Sequence, residues 1–404
     1  MTTKCAVSHS ELQDSFKAGK EMASKAMSKE GIKRCDFAFV FASTDHDAGE
    51  LIKGVKSVTG EKTNVAGGIS AGIITNDYIN YEGFTAGILV IQTEDIQFQT
   101  WSVEGLEKDV YETGVKVGKA ISGFEKLTNP NLFLFYDSMQ RDASKNCPVH
   151  FTAPILEGIQ SVIKDLPPAS GVGLHTGLLM RKTEVWNNEE ILQDSVVPVI
   201  LSGNVKLHTI IIHGLKPGSD YYTITKIHEN IIYEIDNKPA LDVLEEYYGN
   251  GEESDWKTVP FYVTLGVNRG EKYGPFDEKN YVNRLVMTLD EDTRAIHVID
   301  VDLRDGDEFQ FMRRHTDTNV VREGALELLN SLDGREPLFA FYISCLAMIQ
   351  KMFGSDKEEA EEIQEAIGNN IPLIGFYSGV EIADVKGKLM PLDWTGVLCI
   401  FSRD

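Results

Sequence analysis

One strand-like segment occurs three times in this chain, as Phe37-Ala38-Phe39-Val40-Phe41-Ala42-Ser43, Leu132-Phe133-Leu134-Phe135-Tyr136-Asp137-Ser138 and Leu338-Phe339-Ala340-Phe341-Tyr342-Ile343-Ser344. Each is almost continuously apolar and closes with an aromatic residue, any residue, then serine. A strand of this kind needs both faces covered, so each must lie between other layers of structure. Helical periodicity precedes each segment, over residues 10–27, 109–122 and 319–332, and a second helical segment follows each, over 47–58, 153–163 and 357–367.

A glycine-bracketed pentapeptide comes next in every case: Gly68-Ile69-Ser70-Ala71-Gly72, Gly173-Leu174-His175-Thr176-Gly177 and Gly375-Phe376-Tyr377-Ser378-Gly379. Each leads through a turn into an apolar strand, over 86–91, 196–201 and 396–401. The central position, filled by Ser70, His175 and Tyr377, is where a common backbone presents different chemistry. A degenerate fourth unit without the pentapeptide is read over a helix at 239–248 and strands at 261–267, 281–289 and 295–303. The pattern predicts an α+β architecture of two domains, each with two copies of a helix-strand-helix-strand-strand unit, in mixed sheets sandwiched by helices. With 404 residues the chain suffices for two domains, at roughly 100–200 residues each. Counting units places the boundary between domains 1–235 and 236–404, in preference to the polar, glycine-containing segment 249–255.

Sixty-two acidic against 39 basic side chains give a formal charge of -23. A surface so negative repels phosphate backbones and anionic lipid, so neither nucleic acid nor membrane is an expected partner. The first residues, Met1-Thr2-Thr3-Lys4-Cys5, lack a basic-then-apolar leader pattern, and no apolar stretch is long enough to span a bilayer. The five cysteines are far apart with no CxxC pair, which suits a reducing compartment. The expected location is cytoplasmic.

Sheets flanked by helices carry their ligands at the carboxyl ends of strands, where loops and helix N-termini expose free N–H groups. Ser43, Ser138, Ser344 and Cys345 lie there, either as ligand contacts or as caps and turn closures. The pentapeptides have neither GxGxxG spacing nor a following lysine, so no nucleotide is expected; their glycines serve close packing or a ligand's approach. Cys345 is a nucleophile if a helix N-terminus lowers its pKa, and otherwise a small core residue. No catalytic spacing is recognisable, and the chain is read as a non-enzyme. Asp45-His46-Asp47 is either a solvated cap or a cation contact, and Cys147-Pro148-Val149-His150 lacks the second pair that structural zinc requires.

Val65 to Gly72, Asn237 to Leu244, Tyr281-Val282-Asn283-Arg284, Ser344-Cys345 and Gly375 to Ile382 together resemble the FIST family, with a likeness running over residues 30–404. The resemblance implies FIST N-terminal and C-terminal domains in a stand-alone sensory protein. Its ligand would be a small molecule such as an amino acid, and its partner an unidentified signalling protein. Arg284 and Glu381 are matched charges in apolar strand patterns. They form either a mutual salt bridge or the fork and counter-charge for a ligand's carboxylate and amine. The candidate ligand set thus joins the strand-end residues Ser43, Ser138, Ser344 and Cys345, the pentapeptide centres Ser70, His175 and Tyr377, and the family-matched charges Arg284 and Glu381, with no catalytic or metal residues. Two departures set its ligand apart from that of a typical relative: Leu346 to Gln350 lack the arginine that relatives commonly carry there, and Val380 replaces a glycine. Some relatives sense nitric oxide through haem held by a histidine, for which His150 and His175 are the positions to consider. No local haem motif accompanies them, so no cofactor is expected. A haem sensor and a pure interaction scaffold are the alternatives.

Overall fold

The computed structural model describes residues 3–29, 31–140, 149–177, 183–248, 263–314, 319–350 and 357–404. The described residues form a mixed α/β protein with seven α-helices, three mixed sheets and one closed barrel. The three apolar segments are the central strands Phe37–Ala42, Asn131–Asp137 and Pro337–Cys345. Each pairs in parallel with the strand that follows its second helix: Asn64–Ile69, Ala169–Leu174 and Leu373–Ser378. Each also pairs antiparallel with a returning strand, Ala86–Gln92, Ser195–Gly203 and Gly396–Ser402.

The edges of the sheets follow one plan. Lys4–Ser10, Ile96–Thr100 and Lys206–Ile212 flank the returning strands. On the far side each sheet is completed by a hairpin from elsewhere in the chain. Val185–Asn187 with Glu190–Leu192 completes the first sheet, Val380–Val385 with Lys388–Leu392 the second, and Ile73–Thr75 with Tyr78–Asn80 the third. The exchange is cyclic, so no sheet is complete without its neighbours.

Helices cover only the outer face of each sheet. Ser15–Ser28 and Ala48–Thr59 pack on Ala38, Val40 and Ala42. Val110–Ile121 and Thr152–Val162 pack on Leu132, Leu134 and Tyr136, while Asn319–Asn330 and Glu359–Ile367 pack on Ala340 and Tyr342. The inner faces meet one another, which corrects the expectation of sheets sandwiched by helices. Phe37, Phe39 and Phe41 join Phe133 and Phe135 and Phe339, Phe341 and Phe376 in one buried cluster. The Phe39 ring lies 5.9 Å from Phe135 and 5.0 Å from Phe341, and Phe133 lies 4.9 Å from Phe341. Each such ring contributes about 1.5–3 kcal/mol by burial.

The segment read as a fourth unit is instead part of the barrel, a second correction. Residues 215–314 are inserted between the strand Lys206–Ile212 and the helix Asn319–Asn330. Their strands run in the order Leu215–Pro217, Glu308–Arg314, Tyr222–His228, Ile231–Ile235, Ala295–Val298, Tyr281–Asp290, Thr264–Asn268, and the last returns to pair with Glu308–Arg314. The helix Ala240–Tyr248 buries Ala240, Leu241, Val243 and Leu244 against the barrel's apolar interior. The expected boundary at 235/236 falls in a turn within this barrel, where Asp236 and Asn237 have positive φ. The 249–255 segment lies outside the described residues.

The first two sheets hold their outer helices unusually close, through reciprocal glycines. A Cβ at Gly19 would fall 2.1 Å from the Leu51 carbonyl oxygen, and one at Gly54 would fall 2.1 Å from that of Phe16. Gly54→Ala must therefore push two backbones apart. It should lower stability by about 1–3 kcal/mol, although alanine gains ~1 kcal/mol in helix propensity. Gly49→Ala, in the first turn of the same helix and in ordinary contact only, should be neutral or stabilising; chemical denaturation of the two variants checks the contrast.

Candidate functional site

The nine residues expected at the site fall into two adjoining groups. The first surrounds a ring made by the three glycine segments at one end of the shared core. Ala71 N–H donates to the Tyr377 carbonyl (3.2 Å) and Gly379 N–H to that of Gly173 (3.0 Å). A Cβ at Gly379 would stand 3.1 Å from Ser138 Oγ and 2.8 Å from the His175 ring. The polar side chains here are used locally. Ser70 Oγ donates to the Gly72 carbonyl (2.9 Å) and Ser138 Oγ to that of Leu174 (2.5 Å). His175 Nδ1 accepts from Gly177 N–H (3.0 Å), and Tyr377 Oη donates to Glu358 (3.1 Å). Burial pulls the His175 pKa down to about 4, so the ring is neutral at physiological pH. Ser43, at the end of the first central strand, accepts from Thr85 N–H at 3.4 Å.

The pairing register moves one position of the motif. Gly67, rather than Gly68, stands opposite Val40, as Gly173 stands opposite Tyr136 and Gly375 opposite Tyr342. Val40, Tyr136 and Tyr342 all face the outer helices. In space, therefore, Ile69 corresponds to His175 and Tyr377, and Ser70 corresponds to Thr176 and Ser378.

The second group lies where the barrel's outer face meets the three-sheet body. Strand alternation puts Tyr281, Asn283 and Leu285 on that face. Tyr281 and Leu285 pack in one cluster with Leu215, Met312, Cys345, Met348 and Trp394. Arg284 is fully buried and does not pair with Glu381. Its Nε and Nη2 hold the two oxygens of Asp302 at 2.6 Å each, and Nη1 donates to the carbonyls of Asn283 (2.6 Å) and Pro391 (3.1 Å). The bidentate pair is the short, charge-assisted kind. Although burial pushes Asp302 up, the guanidinium outweighs it and holds the carboxyl below its usual range.

Three more carboxyls surround this pair. Asp300 accepts from Thr152 N–H (3.0 Å) and Ala153 N–H (3.1 Å), the first two donors of a helix whose own N-cap, Phe151, provides no side-chain bond. Burial, with Asp302 beside it, raises its pKa to about 6. Asp393 accepts from Leu285 N–H at 2.9 Å and is raised by burial to about 7. Glu381 is fully buried and raised well above the usual carboxylate range, first by burial and then by Asp393. Ser378 Oγ lies 2.7 Å from Glu381 Oε1 and 3.1 Å from the Ser344 carbonyl oxygen. One hydroxyl hydrogen cannot serve both, and a neutral Glu381 resolves this by donating to Ser378 while Ser378 donates to Ser344.

Cys345 is buried at the end of its strand, and burial and then Glu381 push its thiol pKa well above the ordinary value. It is held as an inert thiol. His150 is buried with Nε2 2.9 Å from Asp194 Oδ1. Asp47 caps the helix Ala48–Thr59 through Glu50 N–H (2.8 Å), and His46 Nδ1 lies 3.1 Å from Ser15 Oγ. Cys147 lies outside the described residues. Among the described residues no three His, Cys, Asp or Glu side chains are grouped to hold a metal.

Asp300, Asp302, Asp393, Asn283 and Ser378 were not identified from the sequence. A signal exists for two of them, because Ile299-Asp300-Val301-Asp302-Leu303 places a carboxylate at each alternate position of an apolar run. Asp393 meets Leu285 across more than a hundred residues and leaves no local trace.

Two outcomes follow from these charges. Asp302→Ala strands a buried guanidinium and should cost about 3–5 kcal/mol in denaturant melts, most of which Arg284→Met combined with Asp302→Leu should recover. Native Asp393 keeps its proton to about pH 7 whereas the unfolded side chain loses it near the ordinary aspartate value of 3.8. Between those limits the native state binds more protons, so this group makes stability fall as pH rises from about 4 to 7. Asp393→Asn should flatten that slope in a pH series of unfolding midpoints.

Comparisons with known proteins bear on the whole chain. An uncharacterized protein of Mycobacterium bovis is 24% identical over 314 residues, covering 75% of this chain and 77% of the relative, and one of Mycobacterium tuberculosis matches to the same extent. Among solved structures, a chorismatase aligns over 99% of this chain and 98% of its own at 8% identity and a TM-score of 0.37. A cyanuric acid hydrolase from A. caulinodans covers 50% of this chain and 71% of its own at 8% identity and a TM-score of 0.29. Residues 36–238 match the FIST N domain and residues 240–384 the FIST C domain. The chain belongs to the FIST family.

Proposed function

We propose that this protein is a non-catalytic small-molecule sensor, whose ligand sits at the junction of the barrel and the three-sheet body and whose occupancy a signalling partner reads. FIST domains are associated with sensory and signalling roles. One observation carries the reading to this place. Asn283 is fully buried and neither its amide nitrogen nor its amide oxygen has a partner, and Glu381 Oε2 and Asp393 Oδ1 are likewise buried without one. Buried polar atoms are nearly always satisfied, so unpartnered ones on the barrel strand and on the hairpin that meets it point to a place where a small polar molecule would supply the missing bonds. An amino acid or related metabolite, as the family suggests, has the size and polarity for this.

A molecule bonded to Asn283 of the barrel and to Glu381 and Asp393 of the body favours one arrangement of the two, and only such differential binding transmits a signal. Asp300 extends the coupling, since it ties the barrel to the start of the helix Thr152–Val162. No helix of the described residues is long and apolar enough to cross a membrane.

A thermal-shift screen of amino acids and metabolites tests the proposal. A true ligand at 100 times its Kd adds about 2.7 kcal/mol. That raises Tm by several degrees, and Asn283→Leu should abolish the shift while leaving the unliganded protein as stable as before or more so. Silence across a broad panel, with no compound co-purifying by mass spectrometry, overturns the reading.

A further inference from the structure

We infer that the junction recognises an ammonium group, seated between Glu381 and Asp393 with Asn283 binding a neutral polar group beside it, and that a carboxylate of the ligand plays no part. The inference rests on the sensor reading and deepens it. Its first support is the state of Arg284, the residue expected to grip a ligand carboxylate. All three of its nitrogens are engaged, two on Asp302 and one on two backbone carbonyls. No fork is left for an incoming anion.

The second support is the charge of what is left over. The unpartnered atoms Glu381 Oε2 and Asp393 Oδ1 are acceptors when their acids ionise. The nearby Asp300 and Asp302 make the site hostile to a further anion. Among the described residues, eight buried acids face only two buried Lys or Arg side chains, Arg284 and Lys56, and Lys56 is paired with Glu189 far away in the first sheet. Four carboxyls at this point, Asp300, Asp302, Glu381 and Asp393, therefore share one guanidinium, that of Arg284, which holds Asp302 and stands 3.8 Å from Asp393 Oδ2. Arg314, the next guanidinium in the region, is paired with Glu359.

Asn283 is the independent observation. It is not an acid, it is fully buried, and its neighbours on the same strand face, Tyr281 and Leu285, pack with Cys345 and Trp394. With a free donor and a free acceptor it suits a hydroxyl, amide or second amine next to the ammonium. The favoured chemical class is thus a small primary amine with one more polar group.

Binding carries a proton balance. An ammonium entering between two neutral acids is stabilised only when one of them ionises, so about one proton leaves to solvent for each amine bound at pH 6. The charged and titratable groups facing Asp393 are Arg284 from the barrel strand, Asp300 and Asp302 from the segment after it, Glu381 from the hairpin, and Tyr136 and Cys345 from the central strands. With Asp393 ionising near pH 7, affinity should tighten about tenfold per unit from pH 5 to 7 and level off above.

The test titrates the full chain with ethanolamine, putrescine and histamine and with their carboxylate-bearing counterparts serine, ornithine and histidine, by thermal shift and calorimetry. The amines should bind at least tenfold more tightly than the amino acids. Glu381→Gln and Asp393→Asn should each weaken them by tenfold or more while leaving circular dichroism unchanged, and the Tm of Asp393→Asn should match the parent's at about pH 4, where Asp393 is protonated in the native parent. Proton release, measured on the unaltered protein in two buffers of different ionisation enthalpy, serves if either variant fails to fold. Equal or tighter binding of the amino acids overturns the inference and leaves the sensor reading standing, as does a Tm increase from an uncharged or anionic metabolite alone. No response to any metabolite removes both.

Discussion

The interior where three sheets meet face to face is the constraint on which the rest of the structure depends. Phe37, Phe39 and Phe41 cannot be covered by their own helices, which lie on the opposite face, so the first sheet needs the other two for burial. The exchanged hairpins add a backbone requirement to the apolar one. Asn64–Ile69, Ala169–Leu174 and Leu373–Ser378 would each be an unpaired edge without a hairpin from another part of the chain, and bare edges template misassociation. A chain ending near residue 238 would lack the strand that completes its second sheet, since Val380–Val385 supplies it. The two family segments therefore fold as one body.

The barrel is attached to this body by charge as much as by apolar contact. Inserted between a strand and a helix of the third sheet, it meets the second sheet's helix through Asp300 and the hairpin through Arg284 and the Pro391 carbonyl. Desolvating so many ionic groups costs several kcal/mol each unless every lone pair and proton is satisfied. Asp302 and Asp300 meet that condition, one on a guanidinium and the other on a helix N-terminus. Glu381 and Asp393 do not, and burial raises their pKa values instead.

Much of the scaffold was legible because the apolar runs are so strong. The central strands and their flanking helices begin and end within a few residues of where periodicity puts them; the strand Lys4–Ser10 was not foreseen, and the helix read from residue 10 begins only at Ser15. What failed were relations at a distance. A one-residue difference in register reverses which face a side chain occupies, and the Gly67-Gly68 pair offers two equally good alignments of which pairing selects the other. The barrel strands are short and half-buried, so their alternation imitated a degenerate copy of the main pattern. Arg284 was correctly conspicuous as a charge in an apolar strand. Its partner was misjudged because Asp302 lies beyond the strand Ala295–Val298, and only the packing of that segment against the barrel strand brings it to Arg284.

Neutral acids give the junction a resting state that an ordinary salt bridge would not. If Glu381 were ionised and paired with Arg284, breaking that pair would oppose any ligand. With Arg284 committed to Asp302, Glu381 waits as an uncharged donor to Ser378, and the Ser378 hydroxyl passes the bond to Ser344, next to Cys345. Ionising Glu381 reverses the first of these bonds, because a carboxylate can only accept, and Ser378 must then turn its hydrogen away from the Ser344 carbonyl. The proton state of one acid thereby reaches the end of the third central strand, whose neighbouring segment carries Tyr377 into the ring of glycines around the core axis. The two groups of candidate residues are coupled through Ser378, a residue that belongs to both.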